Sequence, residues 1–116
     1  MAPIPLAQAV GDLQQFTLAG EWVVTDEQIA AVLADRQVPP ALVDTSLVRI
    51  TSGTLTTAQA IAAASDPHVT AILWYSGRFD RLQGFHDWVV QHYSQVLSYG
   101  GTRGLFLRAP PGVPVG

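Results

Sequence analysis

Two short segments of the chain combine hydroxyl side chains, glycine and arginine, which together can hold an anion. Apolar runs at residues 47–51 and 71–75 read as strands, and each is followed by a Ser-Gly pair. Glycine permits a tight turn, hydroxyl and backbone N–H groups donate to an anion, and a guanidinium supplies positive charge. Because loops at the carboxyl ends of parallel strands meet at one rim, we expect a ligand site there. Its candidate residues are Ser52, Gly53, Ser76, Gly77, Arg78 and Arg81.

The same residues also have a purely structural explanation. Neither segment has the spacing of a P-loop or of a G-x-G-x-x-G turn, and serine and glycine are ordinary turn residues. Asp80, the expected cap of the next helix, takes the helix end that an anion would need. Arg78 and Arg81 can pair with Asp80, Asp87 or another acid. Turn chemistry is therefore the favoured interpretation of the two loops.

The chain also contains the residue types of nucleophilic catalysis, namely Ser76, His86 or His92, and Asp80 or Asp87. A working set needs the base within hydrogen-bond reach of the nucleophile, which commonly lies in a G-x-S-x-G turn. Ser76 lacks the glycine two positions earlier, and the helical pattern turns His86 inward and Asp87 outward. We therefore predict no catalytic residue and favour a protein that is not an enzyme.

Metal binding receives no better support. His86 and His92 lie six positions apart, about 120° around a helix, whereas a chelating pair needs positions i and i+4. His68 follows Asp66-Pro67 and would have to join from another loop. There is no cysteine, so disulfides and thiolate ligands are excluded. The sequence predicts no metal and no cofactor.

The composition favours association with protein rather than with nucleic acid. The net charge is −3 and every positive residue is an arginine, whereas nucleic-acid binding requires clustered positive charge. Charged residues make up 13% of the chain, against about a quarter in typical soluble domains, so part of the surface must be apolar. We expect a homodimer or a protein partner at an interface along the last helix. Its candidate residues are Trp88, His92 and Tyr99.

Three helix starts share one signature, a capping residue followed three positions later by glutamine. They are Thr25…Gln28, Thr56…Gln59 and Asp80…Gln83, and they predict helices over residues 26–36, 57–65 and 81–98. The first of these helices turns Ile29, Val32, Leu33 and Arg36 to one side. A further helix is expected over residues 5–14. Strands are expected over residues 16–24, 46–51, 69–75 and 102–108, and the third is apolar enough to be covered on both faces.

This order predicts one small α/β domain over residues 1–108, with about four strands alternating with three or four helices. The alternative is a two-layer α+β fold in which the first strand is an antiparallel edge strand. Residues 109–116 are rich in proline and glycine and read as an extended tail.

The absence of lysine and asparagine indicates GC-rich coding and hence a bacterial source. With no signal-peptide pattern, and with apolar runs far shorter than the roughly 20 residues of a membrane helix, we expect a cytoplasmic protein. The leading interpretation is a non-catalytic interaction domain that acts through homo-oligomerisation or docks on a protein partner. The alternative is a small-ligand or anion-binding domain, or a weakly specific enzyme, that uses the Ser-Gly loops.

Overall fold

The computed structural model describes residues 4–43 and 47–108, apart from the side chain of Leu47, so the predicted tail lies outside the described residues. Short 3-10 turns occur at Pro40–Leu42 and Arg78–Arg81. The helices are α1 (Leu6–Phe16), α2 (Gln28–Leu33), α3 (Leu47–Thr51), α4 (Thr57–Ala64) and α5 (Phe85–His92). The strands are β1 (Trp22–Thr25), β2 (Val69–Trp74), β3 (Tyr93–Gly100) and β4 (Arg103–Arg108).

The strands form one mixed sheet in the order β1-β2-β4-β3. β1 and β2 are parallel, and β4 runs antiparallel to both β2 and β3. The predicted α/β class with four strands is confirmed. The alternation of strand and helix ends at β3, because β4 follows it directly and the two strands form an antiparallel hairpin. The first strand is not antiparallel to its neighbour, and of these four strands β4, which runs in the reverse direction, lies inside the sheet between β2 and β3.

The sheet separates two apolar clusters, and β2 contributes to both, as its pattern predicts. On one side Trp74 packs among Phe79, Phe85 and Phe106, beneath α4 and α5. On the other side Leu73 lies in a cluster that includes Leu13 of α1 and Ala30 of α2. Alternate residues of the strands therefore supply the two cores.

The predicted helix over residues 81–98 is wrong at both ends. Gly84, with φ +85°, precedes α5, and the chain turns into β3 at Tyr93, so Asp80 caps no α-helix. The apolar residues of this stretch fit a 3.6-residue period, but those beyond His92 instead form a strand. The physical reason is the open side of β4, whose backbone groups obtain their partners from β3.

The predicted strand over residues 46–51 is also wrong in its described part, which forms α3. Backbone bonds from Ser52 N–H to Val48 O, 3.0 Å, and from Gly53 N–H to Ile50 O, 3.2 Å, close the end of this helix. The two sides of β2 are already occupied by β1 and β4, so there is no place for a strand beside it. The first Ser-Gly pair therefore ends a helix, not a strand.

The local helix signals succeed in part. Thr56 and Gln59 form the predicted capping box at the start of α4. At α2 the N-cap is Glu27, whose N–H bonds Thr25 Oγ1 at 3.0 Å, so this helix begins two residues late. α1, β2 and β4 lie close to their predicted positions, whereas β1 is reduced to the end of the predicted strand.

Two buried tyrosine hydroxyls predict a loss of stability at high pH. Tyr93 donates to Ala64 O and Tyr99 donates to Asp12 Oδ2, each at 2.8 Å. Burial raises the pKa of both phenols above the ordinary value of 10.0. A raised folded-state pKa contributes stability that is complete below the unfolded-state value and is lost as the pH rises above it.

We therefore expect the free energy of unfolding to fall above about pH 10. Tyrosinate absorbance against pH should contain late-titrating components, and Tyr99→Phe should remove one of them. Complete titration of all the tyrosines of the folded protein at the pH of free tyrosine would contradict this expectation.

Candidate functional site

The loop after β2 is organised around a carboxylate that no sequence motif marks. Asp26 directly follows β1 and is fully buried. Its Oδ1 accepts from the N–H groups of Tyr75 and Ser76, at 2.8 and 2.9 Å. Its Oδ2 accepts from the N–H of Gly77 at 3.0 Å and, at 3.4 Å, from that of Phe79. Four backbone donors thus converge on one carboxyl group.

The topology explains why these groups meet. β1 and β2 are parallel with Thr25 opposite Leu73, so Asp26 emerges beside the first residues after β2. Gly77 has φ +85°, a conformation that favours glycine and folds the loop back over the carboxylate. Successive N–H groups in such a turn form a concave anion-binding site. The protein's own Asp26 occupies this site.

Ser76 and Arg78 are part of the same network. The Ser76 hydroxyl donates to Asp26 O at 3.1 Å and accepts from Arg78 Nε at the same distance. Arg78 Nη2 pairs with Glu27 Oε2 at 3.2 Å, and both side chains are largely covered. Arg78 therefore pairs with an acid next to Asp26 rather than with Asp80 or Asp87. These contacts give Arg78 a structural role, which the turn at Ser76-Gly77 alone would not require.

The structure does not join the two Ser-Gly pairs into one site. α3 lies beside the 3-10 turn Arg78–Arg81, but the Ser52 hydroxyl bonds within its own loop, to Arg49 O at 3.2 Å. Among the described hydrogen bonds, none connects Ser52 or Gly53 to Ser76. Arg81 is exposed at the end of the turn. The predicted rim thus reduces to the loop after β2.

A shallow depression lies beside this loop, at the β3–β4 turn. It has a volume of about 360 Å³ and is lined in part by Asp80, Thr102 and Arg103. Asp80 Oδ1 accepts from Trp74 Nε1 at 2.8 Å and from Thr102 Oγ1 at 2.6 Å. Arg103 donates to Ser76 O at 3.3 Å. The hairpin therefore braces the loop, a role that the sequence signals do not reveal.

None of the described hydrogen bonds joins a histidine to Ser76. His86 meets the rings of Trp74 and Phe106 edge-on, at 5.1 and 6.0 Å between centroids. His68 stacks on Trp22 at 4.9 Å and bonds Asp66 at 2.8 Å. The backbone N–H of His68 is the main cause that lowers the pKa of Asp66. Within residues 4–43 and 47–108, no three metal-ligating side chains come together.

The predicted aromatic border is divided by the sheet. Trp88 and His92 stack at 4.4 Å on α5, and Trp88 also packs against Phe85 and Tyr93 at 6.3 and 6.1 Å. Tyr99, which the shortened helix leaves on β3, lies in the cluster on the opposite face. The three residues therefore do not share one surface, because the helix that would align them ends at His92.

The protein matches no family model, no curated protein sequence and no solved structure with which it was compared. Within the part of the chain that the structure describes, every helix is too short or too polar to cross a bilayer. A function for this protein must therefore be inferred from the chemistry and placement of its own residues.

The hydrogen bonds of Asp26 predict that replacing its carboxylate by a neutral amide lowers the free energy of unfolding substantially. Asp26→Asn keeps the shape of the side chain but turns an NH₂ group toward backbone donors, leaving them unpaired in the interior. We expect the free energy of unfolding to fall by about 3 kcal/mol in urea denaturation. The exposed Asp35→Asn is the matched control and should change it by less than about 0.5 kcal/mol. Equal effects of the two substitutions would contradict the structural role of Asp26.

Proposed function

We propose that the protein is a non-catalytic interaction domain that docks on a protein partner through α2. The observation that carries this proposal is the exposure of three large apolar side chains on this helix. Ile29, Val32 and Leu33 are 56%, 73% and 57% exposed. We call these three residues the α2 stripe. The bacterial source and cytoplasmic location of the protein remain predictions from its composition and sequence pattern.

The α2 stripe reverses the usual arrangement of a surface helix. Ala30, Ala31 and Ala34 are buried, while the larger side chains face outward. The small methyl groups let α2 approach α1 and β1 closely, with which it makes its main contacts. The helical period predicts that the three large residues lie on one side, and this spacing does make them neighbours. The buried side, however, is the alanine side.

Burial of such side chains in a partner is energetically favourable. Complete transfer of a Val, Leu or Ile side chain from water contributes about 1.5–3 kcal/mol, and each member of the stripe still has more than half of this area exposed. Positions i, i+3 and i+4 on one helix are also the pattern by which a helix enters an apolar groove. Gln28–Leu33 contains no charged residue, which favours an apolar partner surface.

The alternative function, anion binding at the Ser-Gly loops, has less support. The N–H groups that would hold an anion donate to Asp26, and Arg78 is paired with Glu27. An incoming anion would have to displace a buried carboxylate that is already well bonded. The Ser76 hydroxyl bonds Asp26 O and Arg78, and none of its described hydrogen bonds involves a histidine that could act as a general base.

A photo-crosslinking residue at position 32 tests the docking surface in cells that carry the protein naturally. We expect a discrete adduct from position 32 because partner atoms contact the α2 stripe. Position 48 is the matched control: Val48 is 75% exposed, also on a short helix. Leu33→Glu should abolish the position-32 adduct while leaving the thermal unfolding midpoint within a few degrees.

Identical adducts from positions 32 and 48, or no adduct from position 32, would contradict docking through α2. An adduct of twice the chain mass would identify the partner as a second copy of the chain.

A further inference from the structure

We infer that β3 is the pairing edge of a homodimer, in which the β3 strands of two copies join antiparallel and continue the sheet. This inference rests on the association role proposed above but uses a different surface from the α2 stripe. β3 is eight residues long and lies at the end of the sheet, bonded to β4 on one side. No strand in the described ranges pairs with its outer side.

The composition of β3 leaves this edge open to pairing. Natural edge strands are commonly protected by charged side chains, proline or bulges. Tyr93–Gly100 contains neither a charged residue nor proline. Two irregularities in its register do occur, between Gln95 and Leu97 and between Ser98 and Gly100. The bulges divide the strand into short regular stretches, so apolar contacts must supplement its hydrogen bonds.

Such apolar contacts are available beside the edge. Val90 at the end of α5 is 43% exposed and Val96 on β3 is 38% exposed. A depression of about 310 Å³ between α5 and the start of β3 is lined by Val90, Tyr93, Ser94 and Gln95. A side chain from an incoming strand has room to pack there. Two backbone groups of β3 are bonded to its own side chains, because Gln95 Nε2 donates to Leu97 O at 3.2 Å and Gly100 N–H donates to Ser98 Oγ at 3.3 Å. A partner strand would therefore pair with the remaining backbone groups and pack on this apolar area.

The opposite edge of the sheet explains why an assembly of identical copies stops at two. The outer side of β1 is occupied, because Val23 N–H donates to Gln37 O at 2.7 Å and Gln37 N–H donates to Glu21 O at 3.2 Å. In the described structure each copy therefore offers one open edge. Pairing two such edges around a twofold axis closes the assembly. An uncharged strand also meets its own copy without repulsion, although the whole chain carries a net charge of −3.

Charge substitutions on β3 test this interface. Sedimentation equilibrium of the wild-type protein should give about twice the chain mass of 12.4 kDa. Ser94→Lys/Ser98→Lys and Ser94→Glu/Ser98→Glu should each sediment at the monomer mass, because pairing would bring four like charges together along one short edge. An equimolar mixture of the two variants should return to the dimer mass. Gln8→Lys/Gln15→Lys, exposed on α1, adds the same charge and should stay dimeric.

A monomeric wild-type protein at millimolar concentration would overturn the inference. A dimer that survives both pairs of β3 substitutions would also overturn it, because the interface would then lie elsewhere. Neither outcome bears on the crosslinking from position 32, so failure of the β3 dimer and failure of α2 docking remain distinguishable.

Discussion

The arrangement of the β2 end depends on the bonds between the Asp26 carboxylate and the backbone of the following loop. A buried carboxylate is stable only when strong donors replace its water, and this loop supplies four of them. The bonds join the carboxyl end of β1 to residues some 50 positions later in the chain. They fix the parallel strand pair at the end where the chain leaves the sheet.

Several neighbouring side chains reinforce the bonds between Asp26 and the loop. Ser76 bonds to the backbone of Asp26, Arg78 reaches back to Glu27, and Arg103 reaches across from β4 to Ser76 O. Asp80 links the same region to Trp74 and to the β3–β4 turn. Features that resemble an anion site in the sequence are therefore used to close the fold. The exposed apolar side chains of α2 and the outer edge of β3 are the two surfaces that we propose for interaction with other chains.

The sequence predicts the elements whose signals are local or whose burial is unambiguous. β2 is apolar on both faces and lies at the centre of the fold, and Thr56 and Gln59 cap α4 through their own side chains. The stretch beyond His92 fits a helical period equally well, and its pairing with β4 is decided by tertiary contact. The segment Leu47–Thr51 is also decided by tertiary contact: its pattern predicts a strand, but both sides of β2 are already paired and the segment forms α3.

The candidate site is predicted less well, for reasons that lie in long-range contacts. The sequence correctly predicts a tight turn at Ser76-Gly77 and the pairing of Arg78 with an acid, which is Glu27. It does not mark Asp26, because an acid between Thr25 and Gln28 is also typical of a helix start. For α2 the period places the large residues on one side but does not tell which side is buried, and close packing against α1 selects alanine for the inner face. Only the fold decides which side of such a helix is buried.

Amide hydrogen exchange in the loop after β2 tests the central claim most directly. With no added ligand, the N–H groups of Tyr75, Ser76 and Gly77 should already be protected, because they donate to Asp26. Inorganic phosphate should leave their exchange rates and chemical shifts unchanged. Rapid exchange in the free protein, followed by protection and shifted resonances when phosphate is added, would contradict the account and restore the loop as an anion-binding site.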